Sequence, residues 1–284
     1  PVSDPLSNPI ADPLVELPDV SPTADLVRIE ATPTGAVTLT MNRPSKRNAL
    51  DADLVSALAD AFETLRGAEG VGVVFLRGAG AMFSAGADLG WIRQVAEWPE
   101  SDNREDAYAM AKMLKALWDL PHLTVALVEG AAFGGGAGLV AACDTAIATA
   151  DARFGFPEVR LGLIPATVSP YVAAAIGPRA ARGLFASARV FDAEHALRLG
   201  LIGEIVRDGA ALDAAQARMG AEIAACAPGA VADAKALVND IQGHAIDEPL
   251  MRETARRIAV ARVGPEGQEG VGAFLERRKP SWAT

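Results

Sequence analysis

The 284-residue chain is short of several residue types, and each shortage excludes a class of function. Its two cysteines, Cys143 and Cys226, show no CxxC spacing, which leaves neither a disulfide framework nor a cysteine metal site. Both read as buried apolar fillers in a reducing or indifferent compartment, most simply a cytoplasm. There are three histidines: His122 follows a proline turn, and His195 and His244 fall in helical patterns. No HExxH pair occurs, so no metal is implied. Basic residues are outnumbered, 26 Lys and Arg against 36 Asp and Glu, and the net charge of −10 repels a phosphate backbone. No nucleic-acid partner is expected. Aromatics reach only 5% while hydrophobic residues reach 50%, so the interior has to be packed mainly from Ala, Val and Leu. No apolar run approaches the roughly 20 residues of a spanning helix, so no membrane partner is expected either.

What is present is a patterned α/β chain. Residues 1–25 carry six prolines and several acids with no basic start, and read as a flexible arm with no targeting signal. Strand-like runs stand at 26–30, 36–41, 71–77, 124–128, 145–149 and 204–206. Between them the clearest helix is 51–66, where Leu54, Leu58, Ala61, Phe62 and Leu65 recur at three- and four-residue spacing behind Asp51; another spans about 104–118. Alternating strands and helices predict a core over 26–210 with crossover connections. From 211 to 284 the pattern is helical only, at 211–226, 229–240, 248–262 and 266–276. With Val260, Val271 and Phe274 in it, this tail has to cover either its own core or a neighbouring subunit.

The glycine-dense stretch GAAFGGGAGLVAACD, residues 130–144, is the main chemical signal. Gly136, Gly138 and Ala141 satisfy a dinucleotide-binding spacing, with Asp151 placed like a ribose-binding acid. Against that reading, the residues Gly130 to Gly135 intervene between the strand and the first glycine of the fingerprint, and no Gly-Lys-Ser/Thr of a nucleotide loop follows. The alternative is that a substrate approaches the glycine backbone and meets N–H donors at a helix start. MFSAGADLGW, residues 82–91, offers a second loop of that kind, with Asp88 as a helix cap. Two loops can aim two N–H groups at one thioester oxygen.

Four stretches in order, MNRPSKRNALD (41–51), FSAGADL (83–89), GAAFGGGAGLVAACD (130–144) and ARFGFPEVRLGLIP (152–165), resemble the signatures of the crotonase superfamily, the enoyl-CoA hydratases and isomerases. The resemblance displaces the dinucleotide reading. It implies an α/β crotonase fold, a spiral of ββα units with a C-terminal helical region that builds a homotrimer or a homohexamer as a dimer of trimers. It implies an acyl-CoA thioester substrate and no separate cofactor. It assigns the oxyanion hole to the N–H groups of Ala87 and Gly135. Coenzyme A is expected against Lys46, Arg47, Asn48, Ala49, Leu50 and Ala85, with Gly86, Asp88, Leu89, Gly134, Gly138 and Trp91 forming the rest of the substrate site. Lys46 and Arg47 are the candidates for the ADP phosphates.

Familiar hydratases of this superfamily use two glutamates. Here the fourth motif keeps Glu158, while the third has Gly138 at the other position, and a glycine transfers no proton. Glu158 just ahead of an apolar stretch is suited to acid–base work. A single glutamate also resembles the Δ3,Δ2-enoyl-CoA isomerases, and a non-catalytic acyl-CoA or RNA-binding homologue is the alternative of another class. ADLGWIR, the glycine stretch and Ser169-Pro170-Tyr171 are most similar to bacterial 3-methylglutaconyl-CoA hydratases of leucine breakdown and the related isohexenylglutaconyl-CoA hydratases. Such substrates carry a distal carboxylate, for which Arg93 and Arg160 are the motif-linked cations. Trp91 is a candidate wall of the acyl pocket. Asp144 is expected to fix the strand after the glycine helix, and Ser84 lacks the setting of a nucleophile.

Overall fold

The computed structural model describes residues 25–283, so all but the last residue of the arm expected over 1–25 lies outside the described residues. In chain order the strands are β1 (Val27–Ala31), β2 (Ala36–Met41), β3 (Val73–Gly78), β4 (Leu123–Val128), β5 (Ala131–Phe133), β6 (Thr145–Thr149), β7 (Arg153–Gly155), β8 (Phe191–Asp192) and β9 (Glu204–Val206). The helices within the strand-bearing part are α1 (Ala52–Arg66), α2 (Leu89–Val95), α3 (Glu100–Trp118), α4 (Gly135–Ala142), α5 (Ser169–Ser187) and α6 (Ala193–Leu199). After the last strand come α7 (Gly209–Ala224), α8 (Pro228–Ile241), α9 (Glu248–Val263) and α10 (Pro265–Glu276).

The main sheet has the order β1-β2-β3-β4-β6-β9, antiparallel at the β1–β2 hairpin and parallel thereafter. Parallel pairing buries both faces, which is why β3, β4 and β6 are almost continuously apolar. One face packs on α1, whose stripe Leu54, Leu58, Phe62 and Leu65 is fully buried. Each such side chain contributes about 1.5–3 kcal/mol through the area it removes from water. The Asp51 carboxylate starts the helix by accepting from Leu54 N at 3.0 Å. The other face meets Leu212 and Ala215 of α7, packed on Val73, Phe75, Val125 and Leu127. Thus the first helix after the last strand completes the core layer.

Asp144 stands where β6 begins, its Oδ2 accepting from Thr124 N at 2.8 Å and Thr124 Oγ1 at 2.9 Å and pairing with Lys235 Nζ at 2.7 Å. It therefore holds the starts of β4 and β6 together and ties α8 to them. The large apolar side chains singled out in the last two helices do not turn inward: Val260, Val271 and Phe274 are exposed, Phe274 by 81%. Of the two alternatives for this tail, covering its own core is excluded at these positions. Cys143 is buried, but Cys226 is exposed because it lies in the turn between α7 and α8. His244 likewise belongs to the turn after α8 and not to a helix, since α8 ends at Ile241. No helix among the described residues is long and apolar enough to cross a membrane.

Candidate active site

The second sheet, β5-β7-β8, positions the chemistry. β5 and β7 are parallel with Phe133 opposite Gly155, so their chain ends emerge side by side. β5 runs on into Gly134 and Gly135, and β7 into Phe156, Pro157 and Glu158. Gly134 N donates to Gly155 O at 2.9 Å and locks the two exits together. On the opposite flank of β5, Ser84 bridges Ala132, and its chain continues to Ala87. The sequence pattern does not disclose β5, β7 and β8: each is two or three residues long, too short to show alternation, and none carries the run of β-branched residues that marks the longer strands.

Ala87 is held by a parallel bridge to Leu50. Leu50 N donates to Gly86 O and Asp88 N donates to Leu50 O, both at 2.8 Å. This pattern spends the polar groups of Ala87's neighbours and turns Ala87's own N–H to the other side. Gly135 is the first residue of α4, where an N–H has no acceptor inside the helix. Among the described residues neither N–H has a protein partner, and the α4 N-terminus adds partial positive charge. Gly134, between them and Glu158, has φ 49° and ψ −118°, and a Cβ there would stand 3.0 Å from Glu158 Oε1. Only glycine allows the carboxylate to come so close to this backbone.

Glu158 begins a short 3-10 turn, Glu158–Leu161. Its Oε2 is buried without a hydrogen-bond partner among the described residues. Burial raises its pKa above the ordinary 4.5, opposed in part by a hydrogen bond from its own backbone. A base that works ionised then loses activity on the acid side. The kcat/KM profile is expected to fall through an apparent pKa above 4.5, and a limb at or below 4.5 in a pH–rate series would contradict it. For stability the sign is reversed: the folded state holds this proton longer, so stability declines as pH rises from 4.5 through the raised value.

A cavity of about 540 Å³ joins these parts, with Leu50, Ala87, Trp91, Gly135 and Glu158 on its wall. Its remaining wall includes Val55, Ser56 and Ala59 of α1, Met110 and Lys112 of α3, and Val168. These α1 residues lie at helical spacing beside the core stripe, a second stripe that the sequence displays but that a search for the core face alone passes over. Asp88 caps α2 through Gly90 N at 2.8 Å and Trp91 N at 3.2 Å. Burial opposes its ionisation, but those N–H groups, with Lys46 and Arg43, outweigh it and hold the carboxyl below its usual range. Trp91 stacks edge-on with Trp98 at 5.2 Å, and its Nε1 donates to Asp106 at 3.4 Å.

The profile of the enoyl-CoA hydratase/isomerase family matches residues 31–284. The chain belongs to that family. It is 38% identical to an enoyl-CoA hydratase from Shewanella pealeana of known structure, covering 93% of this chain and 100% of that one at a TM-score of 0.87. Pseudomonas aeruginosa AtuE is 37% identical, with 91% and 100% covered and a TM-score of 0.87. The enoyl-CoA hydratase AKT6-1 of Alternaria alternata is 32% identical over 247 residues, 86% of this chain and 80% of that protein. The fold is accordingly the crotonase fold, and the protein is an enzyme of that superfamily.

Among the positions inferred from the family motifs, Lys46 and Arg47 are exposed, and Ala49 and Leu50 are buried beneath them. Ala85 N donates to Arg47 O at 2.9 Å, so the two loops expected to meet coenzyme A do touch each other. Lys46 Nζ stands 4.0 Å from Asp88, with 62% of its side chain exposed, and Leu89 is 72% exposed. Gly86 and Gly134, which precede Ala87 and Gly135 in the chain, are themselves off the cavity wall. Gly138 does not reach the cavity either: a Cβ there would lie 2.1 Å from Val168 Cγ1, and Val168 forms the wall in its place. Ser84 is buried with its Oγ donating to Asn48 O at 2.8 Å, which makes it part of the scaffold.

Two expected cations are misplaced for a distal carboxylate. Arg160 Nη2 donates to Ala188 O at 2.9 Å, away from the cavity, because it projects from the outer side of the Glu158 turn. Arg93 is exposed in the last turn of α2 and is not on the wall. Lys112 is the cation that does line the cavity, its Nζ 4.9 Å from the centre of the Tyr108 ring and with no carboxylate partner among the described residues. Nothing in its local sequence distinguishes it from Lys115 three residues on. Among the described residues no group of three His, Cys, Asp or Glu converges as a metal site.

Proposed function

We propose that the enzyme adds water to the double bond of a short-chain enoyl-CoA, with 3-methylglutaconyl-CoA as its substrate, and that it does so with one glutamate. The observation that carries this reading is the buried, unpartnered Oε2 of Glu158 on the same cavity wall as Ala87 and Gly135. In this reading the two N–H groups bind the thioester oxygen and stabilise the enolate that develops as the β carbon is attacked. Glu158 takes a proton from water, whose oxygen bonds to the β carbon. The same carboxyl then delivers that proton to the α carbon, so the water is added without a second protein acid. No metal or nicotinamide enters the reaction. Coenzyme A lies along the loop 46–50 and Ala85.

Lys112 is the proposed partner of the distal carboxylate. Lys112→Ala is expected to raise KM for 3-methylglutaconyl-CoA about 2- to 5-fold, the size of one solvent-exposed charged contact, and KM for crotonyl-CoA far less. Equal effects on both thioesters in steady-state assays would remove Lys112 from this role. The exposed apolar residues of α9 and α10 support burial against further copies of the chain, as a trimer or a hexamer.

The absence of a second glutamate at Gly138 also fits the alternative reading, a Δ3,Δ2-enoyl-CoA isomerase in which Glu158 carries a proton between the α and γ carbons. The absorbance of the conjugated enoyl thioester separates the two. Its loss with 3-methylglutaconyl-CoA and not with crotonyl-CoA supports the hydratase. A gain of conjugation from a 3-enoyl-CoA, with no loss from either conjugated substrate, establishes the isomerase. Tight acyl-CoA binding with neither change would mark a binding module.

A further inference from the structure

Arg43 belongs to the first motif stretch, yet it is neither on the cavity wall nor among the residues expected to meet coenzyme A. Its surroundings are unusually specific for a residue without a ligand. The guanidinium is largely buried, with 15% of the side chain exposed, and it lies among three acceptors. Nη1 donates to Ala49 O at 2.7 Å, and Nη2 pairs with Asp51 Oδ2 at 2.7 Å and approaches Asp88 Oδ2 at 3.7 Å. Each acceptor has a second task. Asp51 caps α1, Asp88 caps α2, and Ala49 precedes Leu50, the residue that bridges Ala87. One planar cation therefore joins the two caps to the segment that orients the first oxyanion donor.

From this geometry we infer that Arg43 is a positioning residue for the oxyanion hole, holding the Ala87 N–H on the line of the thioester oxygen. The inference rests on the assignment of Ala87 and Gly135 as that hole. The physical demand is directional. Two acidic caps drawn to one side of the Ala49–Leu50 segment repel each other unless a cation separates them, and only a fork can satisfy a carbonyl and two carboxylates at once. A lysine supplies the charge but not the fork. The backbone of Arg43 adds to the hold: its N–H donates to Asn48 Oδ1 at 2.9 Å, and Asn48 Nδ2 donates to Met82 O at 2.7 Å, on the chain that leads into the oxyanion loop.

The test compares wild type with Arg43→Lys and Arg43→Gln, using kinetics, thermal melting and the spectrum of bound hexadienoyl-CoA. That conjugated thioester shifts its absorbance to the red when donors polarise its carbonyl. A misplaced donor is expected to lower kcat by about 10- to 100-fold with KM changed by less than about 3-fold. The red shift should shrink in both variants, more in Arg43→Gln, while bound thioester remains measurable. If wild type shifts the spectrum and Arg43→Lys shifts it equally, whatever the change in melting temperature, Arg43 is a structural salt-bridge residue and the inference fails. If wild type itself gives no shift with bound thioester, the oxyanion assignment falls and takes this inference with it.

Discussion

Glu158→Gln will lower kcat by about 10²- to 10⁴-fold, the usual contribution of a positioned acid–base group, while the thioester still binds. The substitution keeps the shape of the side chain and removes its ability to exchange a proton. No neighbouring group can take over. Of the other carboxylates on the cavity wall, Asp51 is held by Arg43, Glu63 by Arg66, and Asp106 accepts from Trp91. The same change should raise the melting temperature near neutral pH, because a buried carboxylate held against its desolvation cost is replaced by a neutral amide. Stopped-flow absorbance and a melting curve on one preparation check both effects. A variant that keeps more than about a tenth of wild-type kcat would remove Glu158 from the centre of the mechanism.

Gly138→Glu, which writes a second glutamate into the third motif, is expected to unsettle the enzyme instead of improving it. The new Cβ would stand 2.1 Å from Cγ1 and 2.7 Å from Cβ of Val168, a short, stiff side chain that is only 2% exposed. Overpacking of this kind costs about 1–3 kcal/mol, and an unpaired carboxylate in the same place adds several more. A loss of at least about 3 kcal/mol corresponds to a fall in melting temperature of roughly 6–12 °C in a chain of this size. Adding Val168→Ala removes the clash but not the desolvation cost, so the double variant should recover part of the loss. An unchanged melting temperature in Gly138→Glu alone would show that Val168 does not fill the space. The pair explains a departure that the motif leaves bare: the glycine and the valine are one packing unit, and together they leave room for a single glutamate.

Some of this was legible in the sequence because it is written in local patterns. The Leu54, Leu58, Phe62, Leu65 stripe marks the buried face of α1, and α1 follows the expected helix with Asp51 as its cap. The β-branched runs mark the long strands, since a strand buried on both faces has to be apolar along its whole length. The glycine loops stand out as stretches of bare main chain, and Ala87 and Gly135 from them do reach the cavity wall.

The rest depends on what distant segments do to one another. No local signal reveals that β5 and β7 pair in parallel at Phe133 and Gly155, yet this register places the α4 N-terminus beside Glu158. Nor does the Arg160 neighbourhood show that the guanidinium reaches outward to Ala188, or the α3 sequence that Lys112, rather than Lys115, borders the cavity. By itself the sequence determined which residues have to be buried and which loops bare their backbone, because these follow from side-chain chemistry and short-range periodicity, while Glu158 stood out only through the resemblance of its motif to the family. Only the tertiary structure decided which N–H groups remain without partners among the described residues, which cation borders the cavity and why position 138 holds no second acid. Those properties belong to the direction and separation of groups far apart in the chain, and these exist only once the strands have paired and the helices have packed.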